Sequence, residues 1–185
     1  MPEPTELESD MLTLLRHVAT VGATLSPQRA AWPYPTIEAF VLAHGRCWTL
    51  RPRPRGVRLG RQRQCYYNAA VRTLLSEDPR YGRDRRWVYC EGYARRALVP
   101  LPVLHAWVVE RKTGLAVEQT FRLEPGEEVA YFGVPFDPDY LARTLAQNGV
   151  CGLLDRHETG WPLLTGADPA SEAVLPWDAG ARGTA

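Results

Sequence analysis

Apolar residues near the start of the chain recur every three or four positions, the spacing of an amphipathic helix. Thr5 and Glu8 fit a capping box at the beginning of this helix, and Gly22 is the predicted end. A proline-rich stretch follows, and a second short helix is predicted over TIEAFVLAHG, residues 36–45. Residues 1–50 are therefore predicted to form a helical segment that packs on the rest of the molecule.

A different pattern starts at Cys65. The segment CYYNAAVRTLLSED has apolar residues at helical spacing and is stopped by Pro79. Another helix is predicted from a cap at Asp137 to Gly149. Between these two helices lie four strand-like runs: RWVYCEGYA, VLHAWVVE, LAVEQTF and AYFGVPF. This order predicts an α+β fold in which a Cys-headed helix packs on an antiparallel β-sheet.

Composition divides the chain further. Residues 51–63, RPRPRGVRLGRQR, alternate arginine with proline and contain no acid, which forbids a helix and predicts an exposed basic loop. Residues 64–164 form the predicted α+β core. Residues 165–185 are rich in Gly, Ala, Pro and acid, and are predicted to be a mobile tail. The length suits one domain overall.

The overall charge points to no particular class of partner. The net charge is +1 and apolar residues make up 45% of the chain. No apolar run approaches the roughly 18 residues that a membrane span requires. The N-terminus, MPEPTELESD, has no basic or apolar region of a signal peptide. We therefore expect a cytoplasmic protein with reduced thiols and no membrane contact, and the oligomeric state stays undetermined.

One of the four cysteines is placed for chemistry. Cys65 lies where a helix begins, and the unpaired N–H groups and dipole of a helix N-terminus favour a thiolate. Cys90 lies inside an apolar strand, where an inert thiol is expected. No two cysteines have C-x-x-C spacing, so neither a metal site nor a cofactor is predicted.

His105 is the candidate base, because it stands among apolar neighbours in LHAWVV. If RKTG forms a four-residue loop, Glu110 pairs with Leu115, and Glu118 then lies on the same face as His105. A loop of three or five residues would place Glu118 on the opposite face. Two amides are alternatives to Glu118 for orienting the imidazole: Asn68 and Gln119.

Other polar residues complete the candidate site. The backbone N–H of Cys65 and a side-chain amide would bind an oxyanion. The candidates for that amide, or for orienting the base, are Gln64, Gln62 and Asn68. The candidates for a substrate cleft are Glu91, Gly92, Tyr93 and Trp107, for which core packing is the alternative. The candidates for anion binding are Arg53, Arg55 and Arg58, for which a solvated connector is the alternative.

Five short blocks carry a resemblance: QCYYNA (64–69), YCEGYA (89–94), HAW (105–107), VEQTF (117–121) and YFGVPF (131–136). In this order they resemble the papain-like fold in its transglutaminase-like form, and they are similar to uncharacterised bacterial and phage proteins of this type. The resemblance covers about residues 62–148.

That resemblance implies a catalytic triad with Cys65 as nucleophile, His105 as base and position 118 as third member. The chain departs from the usual Asp-x-Thr-Trp pattern, because Glu118 and Phe121 stand at the positions of Asp and Trp. Glutamate is one methylene longer than aspartate and can still orient an imidazole.

These residues predict thiol-dependent acyl transfer or amide hydrolysis, of peptidase, amidase, deamidase or transglutaminase type, on a peptide or protein amide. No cofactor is required. The alternative is a catalytically inactive papain-like binding module. A third hypothesis is nucleic-acid association through residues 51–63, although no aromatic residue lies among these arginines as base stacking would need. Metal-dependent hydrolysis is disfavoured by the spacing of the His and Cys residues.

Overall fold

The computed structural model describes residues 4–75, 86–149 and 151–177. These residues form an α+β fold with six α-helices and a five-stranded antiparallel sheet. The helices are α1 Glu6–Leu25, α2 Ile37–His44, α3 Cys65–Leu75, α4 Pro138–Asn148, α5 Pro162–Thr165 and α6 Ala170–Ala173. The strands are β1 Arg46–Cys47, β2 Trp87–Arg96, β3 Val103–Glu110, β4 Leu115–Val117 and β5 Val129–Pro135.

Three helices begin at the predicted caps. The Thr5 hydroxyl accepts a hydrogen bond from the Glu8 backbone N–H at 3.2 Å, and the Glu8 carboxylate accepts one from the Thr5 N–H at 2.8 Å. Thr36 caps α2 and Asp137 caps α4 through their side-chain oxygens. Gly149 ends α4 with a φ of 68° in the left-handed region, which favours glycine.

The prediction that Gly22 ends α1 is wrong, because the helix continues to Leu25. A Cβ added at Gly22 would lie 2.9 Å from the Thr36 side chain. The glycine therefore serves the close approach of α1 to the start of α2. Helix α3 begins at Cys65 as predicted, and its predicted end at Pro79 lies outside the described residues.

The β3–β4 hairpin has the register that places Glu118 beside the histidine strand. Glu110 pairs with Leu115 across the four-residue connection 111–114, as the even-loop prediction requires. Strand β4 ends at Val117, four residues before the predicted end. The strand stops there because the Glu118 carboxylate binds the backbone N–H groups of the following residues, which would otherwise continue the ladder.

The sheet has the strand order β1-β5-β2-β3-β4 and curls on itself. The chain after β1 crosses from one edge of the sheet to the other. The Trp48 N–H donates to the Tyr131 carbonyl of β5 at 2.9 Å, and the Arg51 N–H donates to the Ala116 carbonyl of β4 at 3.0 Å. The inner face of the sheet is thereby closed around an apolar core: Val88, Cys90, Trp107, Val109 and Tyr131.

The outer face of the sheet carries the helices. In a second, larger core on this face, α1 and α2 pack against β5, α3 packs against β2 and β3, and α4 packs against β2. The fully buried members of this core include Met11, Phe40, Tyr89, Val108 and Leu141. Helix α3 contacts both β2 and β3, so its first residue is held close to the strand that carries His105.

The prediction of a mobile tail is wrong for residues 165–177. This stretch contains α6 and returns to the sheet, where the Leu175 N–H donates to the Pro135 carbonyl at 2.9 Å. The ring of Trp177 packs edge-on against Trp48 at a centroid distance of 5.0 Å. The remainder of the predicted tail, 178–185, lies outside the described residues.

Candidate functional site

Cys65 is the first residue of α3, and its side chain is partly exposed. The turn before it contains Arg63 with a φ of 60°, a left-handed conformation that side chains other than glycine rarely adopt. Such backbone strain concentrates at functional sites. The first N–H groups of α3 have no intrahelical acceptor, so this end of the helix stabilises negative charge.

His105 lies between the thiol and a carboxylate. Its Nε2 is 2.9 Å from Glu118 Oε2, and the Cys65 side chain lies close enough to help raise the pKa of His105. A carboxylate only accepts, so Nε2 carries a proton and donates it to Glu118, which leaves Nδ1 to face the thiol. The structure thus brings together the three residues that the sequence predicts as a triad.

The charges of these groups support one another. Burial lowers the pKa of His105, but hydrogen bonds to Cys65 and Glu118, with the charge of Glu118, outweigh burial and raise the pKa to about 9. Burial raises the pKa of Glu118, but its bonds to His105, Tyr131 and the Thr120 N–H bring the pKa below its ordinary value. At neutral pH the pair is therefore an imidazolium beside a carboxylate.

The Glu118 carboxylate is fixed from every side. Its Oε1 accepts from the backbone N–H groups of Thr120 and Phe121, the latter at 2.8 Å, and its Oε2 accepts from the Tyr131 hydroxyl as well as from His105. The Phe121 ring stacks on the His105 imidazole with centroids 4.0 Å apart and planes 7° apart. The imidazole is thus held in one orientation and shielded from water.

Sequence reasoning missed Tyr131 and the stacking role of Phe121. Tyr131 lies on β5, which is separated from β4 by two strands in the sheet order. The Tyr131 hydroxyl reaches the Glu118 carboxylate only because the sheet curls. Nothing in the spacing of the sequence signals that contact.

The two alternative orienting amides have other partners. Asn68 accepts from the Arg61 N–H at 3.1 Å, and its amide nitrogen donates to the Arg61 carbonyl and to the Thr120 hydroxyl. Gln119 is satisfied when its nitrogen faces the Asn68 carbonyl at 3.2 Å and its oxygen faces Arg72 Nε at 3.0 Å. Both amides therefore brace the loops around the triad, and Glu118 alone orients the imidazole.

The oxyanion candidates Gln62 and Gln64 lie in the turn that precedes α3, and their side chains are exposed. The Gln64 carbonyl accepts the Asn68 N–H at 2.8 Å, so this residue already belongs to the first turn of the helix. Both glutamines stay close in sequence to the Cys65 N–H. Gln62 and Gln64 therefore remain candidates for the side-chain amide that would bind an oxyanion together with the Cys65 N–H.

Three of the four cleft candidates belong to the core. Trp107 is fully buried inside the curled sheet. A Cβ added at Gly92 would lie 2.4 Å from the Gly133 backbone, so this glycine permits close approach of β2 and β5 rather than of substrate. Tyr93 is buried, and its hydroxyl donates to Glu38 of α2 at 2.5 Å.

The fourth cleft candidate, Glu91, is also fully buried, and it fastens a loop to the sheet. Its carboxyl group accepts from the Leu153 and Leu154 backbone N–H groups at 2.7 and 3.0 Å. Burial raises the pKa of Glu91 to about 7 against these hydrogen bonds. We name this arrangement the Glu91 clasp.

A single hydroxyl links Glu91 to this loop. The Tyr89 oxygen lies 2.7 Å from Glu91 Oε2 and 2.9 Å from the Cys151 carbonyl, and its O–H is directed towards both acceptors. A tyrosine has one hydroxyl proton, so the carboxyl group and the carbonyl share it.

The other three cysteines lack the features of Cys65. Burial raises the pKa of Cys47 to about 11, with Glu8 adding to the effect. Burial also raises the pKa of Cys90 well above its ordinary value and, with Glu91, that of Cys151. Among the four thiols, Cys65 is the one that helps raise the pKa of a histidine.

The basic loop is irregular in structure, as predicted, and one of its three candidate arginines faces a pocket. Arg53, Arg55 and Arg58 are all exposed, and Arg58 also lines a pocket of about 370 Å³. The described residues around this pocket come from the loop, from α3 and from the segment after Glu118: Arg58, Leu59, Gly60, Tyr67, Asn68, Val71, Arg72, Leu75 and Gln119.

Within the described ranges, no three His, Cys, Asp or Glu side chains are grouped so that they could hold a metal ion. The same ranges contain no helix long and apolar enough to cross a membrane. No protein-family model, no curated protein and no solved structure matches this chain.

Proposed function

We propose that this protein performs thiol-dependent acyl transfer or amide hydrolysis on a peptide or protein amide, with Cys65, His105 and Glu118 as its triad. The observation that carries the proposal is the position of the imidazole, whose Nε2 lies 2.9 Å from a Glu118 carboxylate oxygen and whose pKa the nearby Cys65 side chain also raises. A nucleophile, a base and an orienting group placed side by side are the requirements of nucleophilic catalysis.

We further assign the core to the papain-like fold in its transglutaminase-like form. The support is the arrangement of elements: a cysteine at the start of α3, a histidine on β3 of the sheet that α3 packs against, and a carboxylate directly after β4. Glu118 takes the place of the usual aspartate, and its extra methylene is accommodated because it lies just beyond the end of β4, at Val117.

The proposed reaction begins when the Cys65 thiolate attacks the amide carbonyl carbon and forms a C–S bond. The Cys65 backbone N–H, with an amide of Gln62 or Gln64, stabilises the oxyanion. The His105 imidazolium then gives its Nδ1 proton to the amide nitrogen, and the C–N bond breaks to leave a thioester.

In the second half, Nδ1 of the neutral His105 takes a proton from water or from an acceptor amine. The resulting nucleophile attacks the thioester carbonyl, and the C–S bond breaks to return the Cys65 thiolate and the product. Throughout, Glu118 accepts from Nε2 and stabilises the imidazolium. The same groups thus serve hydrolysis, deamidation and transfer, depending on which nucleophile arrives.

Exposure assigns the direction of approach. The His105 side chain is 2% exposed, whereas Cys65 is partly exposed. Substrate therefore reaches the sulfur, while the proton relay behind the sulfur stays protected. This is the division that a nucleophile and a buried base require.

The test is the acyl-enzyme itself. Purified protein is incubated with p-nitrophenyl acetate, p-nitrophenol release is followed, and intact mass with peptide mapping locates the acetyl group. We expect a burst, an acetyl thioester on Cys65 and slow turnover. Cys65→Ala should abolish all three, and His105→Ala should reduce turnover by about 100-fold or more.

Two matched variants serve as controls, Cys47→Ala for the thiol and His157→Ala for the imidazole, and both should react as the wild type does. If acetylation spreads over all cysteines and His105→Ala changes nothing, the protein is instead a catalytically inactive binding module of the same fold.

A further inference from the structure

A pocket lies beside the proposed triad and shares its structural elements. Two residues that line the pocket are Asn68 and Gln119. Asn68 is one turn of α3 after Cys65, and Gln119 directly follows Glu118. The Gly60 N–H donates to the Gln119 carbonyl at 2.7 Å, which ties the basic loop to the segment that carries the triad carboxylate. The pocket walls and the reacting groups are therefore positioned together.

Among the residues that the structure describes, the positive charge of this pocket is uncompensated. Among the described residues that line it, the charged side chains are Arg58 and Arg72. Neither has a carboxylate partner within the described parts of the chain. Burial, and then the neighbouring Arg86, lower the pKa of Arg72. A half-buried guanidinium with no anion beside it is costly, and an incoming anion would remove that cost.

The geometry of Arg72 suits a carboxylate. Its Nε donates to the Gln119 amide oxygen at 3.0 Å, which fixes the plane of the guanidinium. Its terminal N–H groups have no partner among the described residues and can bind a ligand. A planar guanidinium binds a carboxylate through two parallel hydrogen bonds. Leu59 and Val71 supply apolar walls for the methylenes of such a ligand.

We propose that this pocket is a substrate subsite for a carboxylate, so that the protein acts on acidic peptides; this inference rests on the proposed function. Arg72 is seven positions after Cys65, two turns along the same helix face, and so lies about 10 Å from it along the axis. An extended peptide advances about 3.3 Å per residue, which places the carboxylate about three residues from the reacting amide.

A peptide fits the pocket better than a nucleic acid does. The pocket, at about 370 Å³, is a discrete hollow that suits one side chain or one chain terminus. Tyr67 is the one aromatic residue among its described lining. Single-stranded nucleic acid instead requires a groove along the backbone with several aromatic rings on which bases stack.

The experiment uses electrophilic peptides that label Cys65. Three chloroacetyl tripeptides are compared: one with glutamate at the third position and an amidated C-terminus, one with glutamine there and the same amide, and one with glutamine and a free C-terminus. The rate of Cys65 labelling is measured for each by peptide mapping. The ratio of the glutamate rate to the glutamine rate reports the subsite, whereas the absolute rates report the triad.

In the wild type we expect the glutamate peptide to label about tenfold faster than its glutamine counterpart, the size of one charge-assisted hydrogen bond. Arg72→Gln should bring the ratio close to one, and Arg58→Gln should lower it. Arg16→Gln, an exposed arginine on α1, should retain it. Faster labelling by the free-acid peptide than by both amides would identify a chain terminus as the source of the carboxylate.

A ratio near one in the wild type, or a ratio that Arg72→Gln leaves intact, overturns the subsite. A short oligonucleotide that blocks labelling equally in wild type and Arg72→Gln would overturn it in favour of general polyanion binding by the loop. Slow absolute labelling with the ratio preserved would instead contradict the triad and keep the subsite, so the two proposals fail separately.

Discussion

The Glu118 carboxylate accepts four hydrogen bonds, two from backbone N–H groups, one from Tyr131 and one from His105. Each of these bonds stabilises the charged carboxylate, which in turn holds the proton on His105. The consequence is an imidazole whose orientation and charge are both set before substrate arrives. Such a site is preorganised, because its groups need no reorientation when the substrate binds.

The first prediction concerns the titration of His105. Its pKa lies at about 9 in the folded protein, so NMR of the imidazole should show it protonated through neutral pH. Glu118→Gln removes the negative charge and should lower this pKa, whereas the pKa of His44, which burial lowers, should be the same in both proteins. Equal His105 titrations in wild type and variant would show that the carboxylate does not control the imidazole.

The same pKa fixes a pH window for stability. The raised value means that the folded state holds the His105 proton more tightly than the unfolded chain does. The stabilisation is therefore complete below the ordinary value of 6.5 and is lost as pH rises through about 9. Glu118→Gln should flatten this alkaline loss, as measured by urea unfolding at several pH values.

A second prediction addresses Tyr131 as a positioning residue. Tyr131→Phe removes one hydrogen bond from Glu118 and leaves the ring in place, so the free energy of unfolding should fall by about 1 kcal/mol. Because Glu118 loses a donor that stabilises its charge, the pKa of His105 should change as well. If Tyr131 served only to stabilise the fold, the variant would leave the pKa of His105 unchanged. Tyr67→Phe, on an exposed side chain of α3, is the matched control.

At the scale of elements, the Glu91 clasp joins β2 to residues 151–154, the loop after α4. This loop also passes Tyr66, the residue after Cys65, since a Cβ added at Gly152 would lie 3.8 Å from the Tyr66 ring. Burial first, and then Glu91, Tyr66 and Cys65, raise the pKa of Tyr89. The clasp therefore holds residues 151–154 near the residue that follows Cys65.

The clasp predicts how stability depends on pH. The pKa of Glu91 is about 7 in the fold, above its ordinary 4.5, so the folded state binds this proton more tightly. Stability should therefore fall as pH rises from about 4.5 to about 7, by an amount of the order of 2–3 kcal/mol.

Glu91→Gln lacks this titration and should lose the fall in stability between those pH values. The readout is the free energy of unfolding in urea at a series of pH values. Glu128→Gln, at an exposed carboxylate, should keep the fall. A Glu91→Gln profile parallel to that of the wild type would mean that Glu91 is ionised throughout.

Much of the element scale could be predicted from local patterns. The caps at Thr36 and Asp137 and the start of α3 at Cys65 follow from short-range hydrogen bonding, which the sequence encodes directly. The RKTG loop has an even number of residues, which places Glu118 on the same face of the sheet as His105, because side chains alternate along a strand. Gly22 was misassigned because its reason is a tertiary contact with α2, invisible in the sequence of α1.

At the scale of the whole molecule, the sheet closes around an inner core, and this closure could not be predicted. It brings Tyr131 of β5 to Glu118 and seats Trp48, whose indole N–H donates to the Gly133 carbonyl at 2.9 Å. These contacts join residues far apart in sequence. Local periodicity located most elements but could not assign which strands meet through the interior, so Gly92 and Trp107 were candidates for the cleft as well as for the core.

The C-terminal stretch illustrates the same limit, and it yields a prediction. Composition favoured a free tail, yet residues 165–177 pair with the sheet and cover Trp48 with Trp177. Truncation after 164 should lower the free energy of unfolding by about 2 kcal/mol or more relative to truncation after 177, because it exposes buried apolar surface. Equal urea midpoints for the two truncations would contradict this packing.

The central claim is that Cys65 and His105 work as a pair, and the most direct test is the pH dependence of iodoacetamide labelling with peptide mapping. In the wild type, Cys65 should label about tenfold or more faster at neutral pH than Cys47, Cys90 and Cys151. His105→Ala should remove that advantage. Labelling of Cys65 no faster than the other cysteines, and unchanged by His105→Ala, would contradict the account.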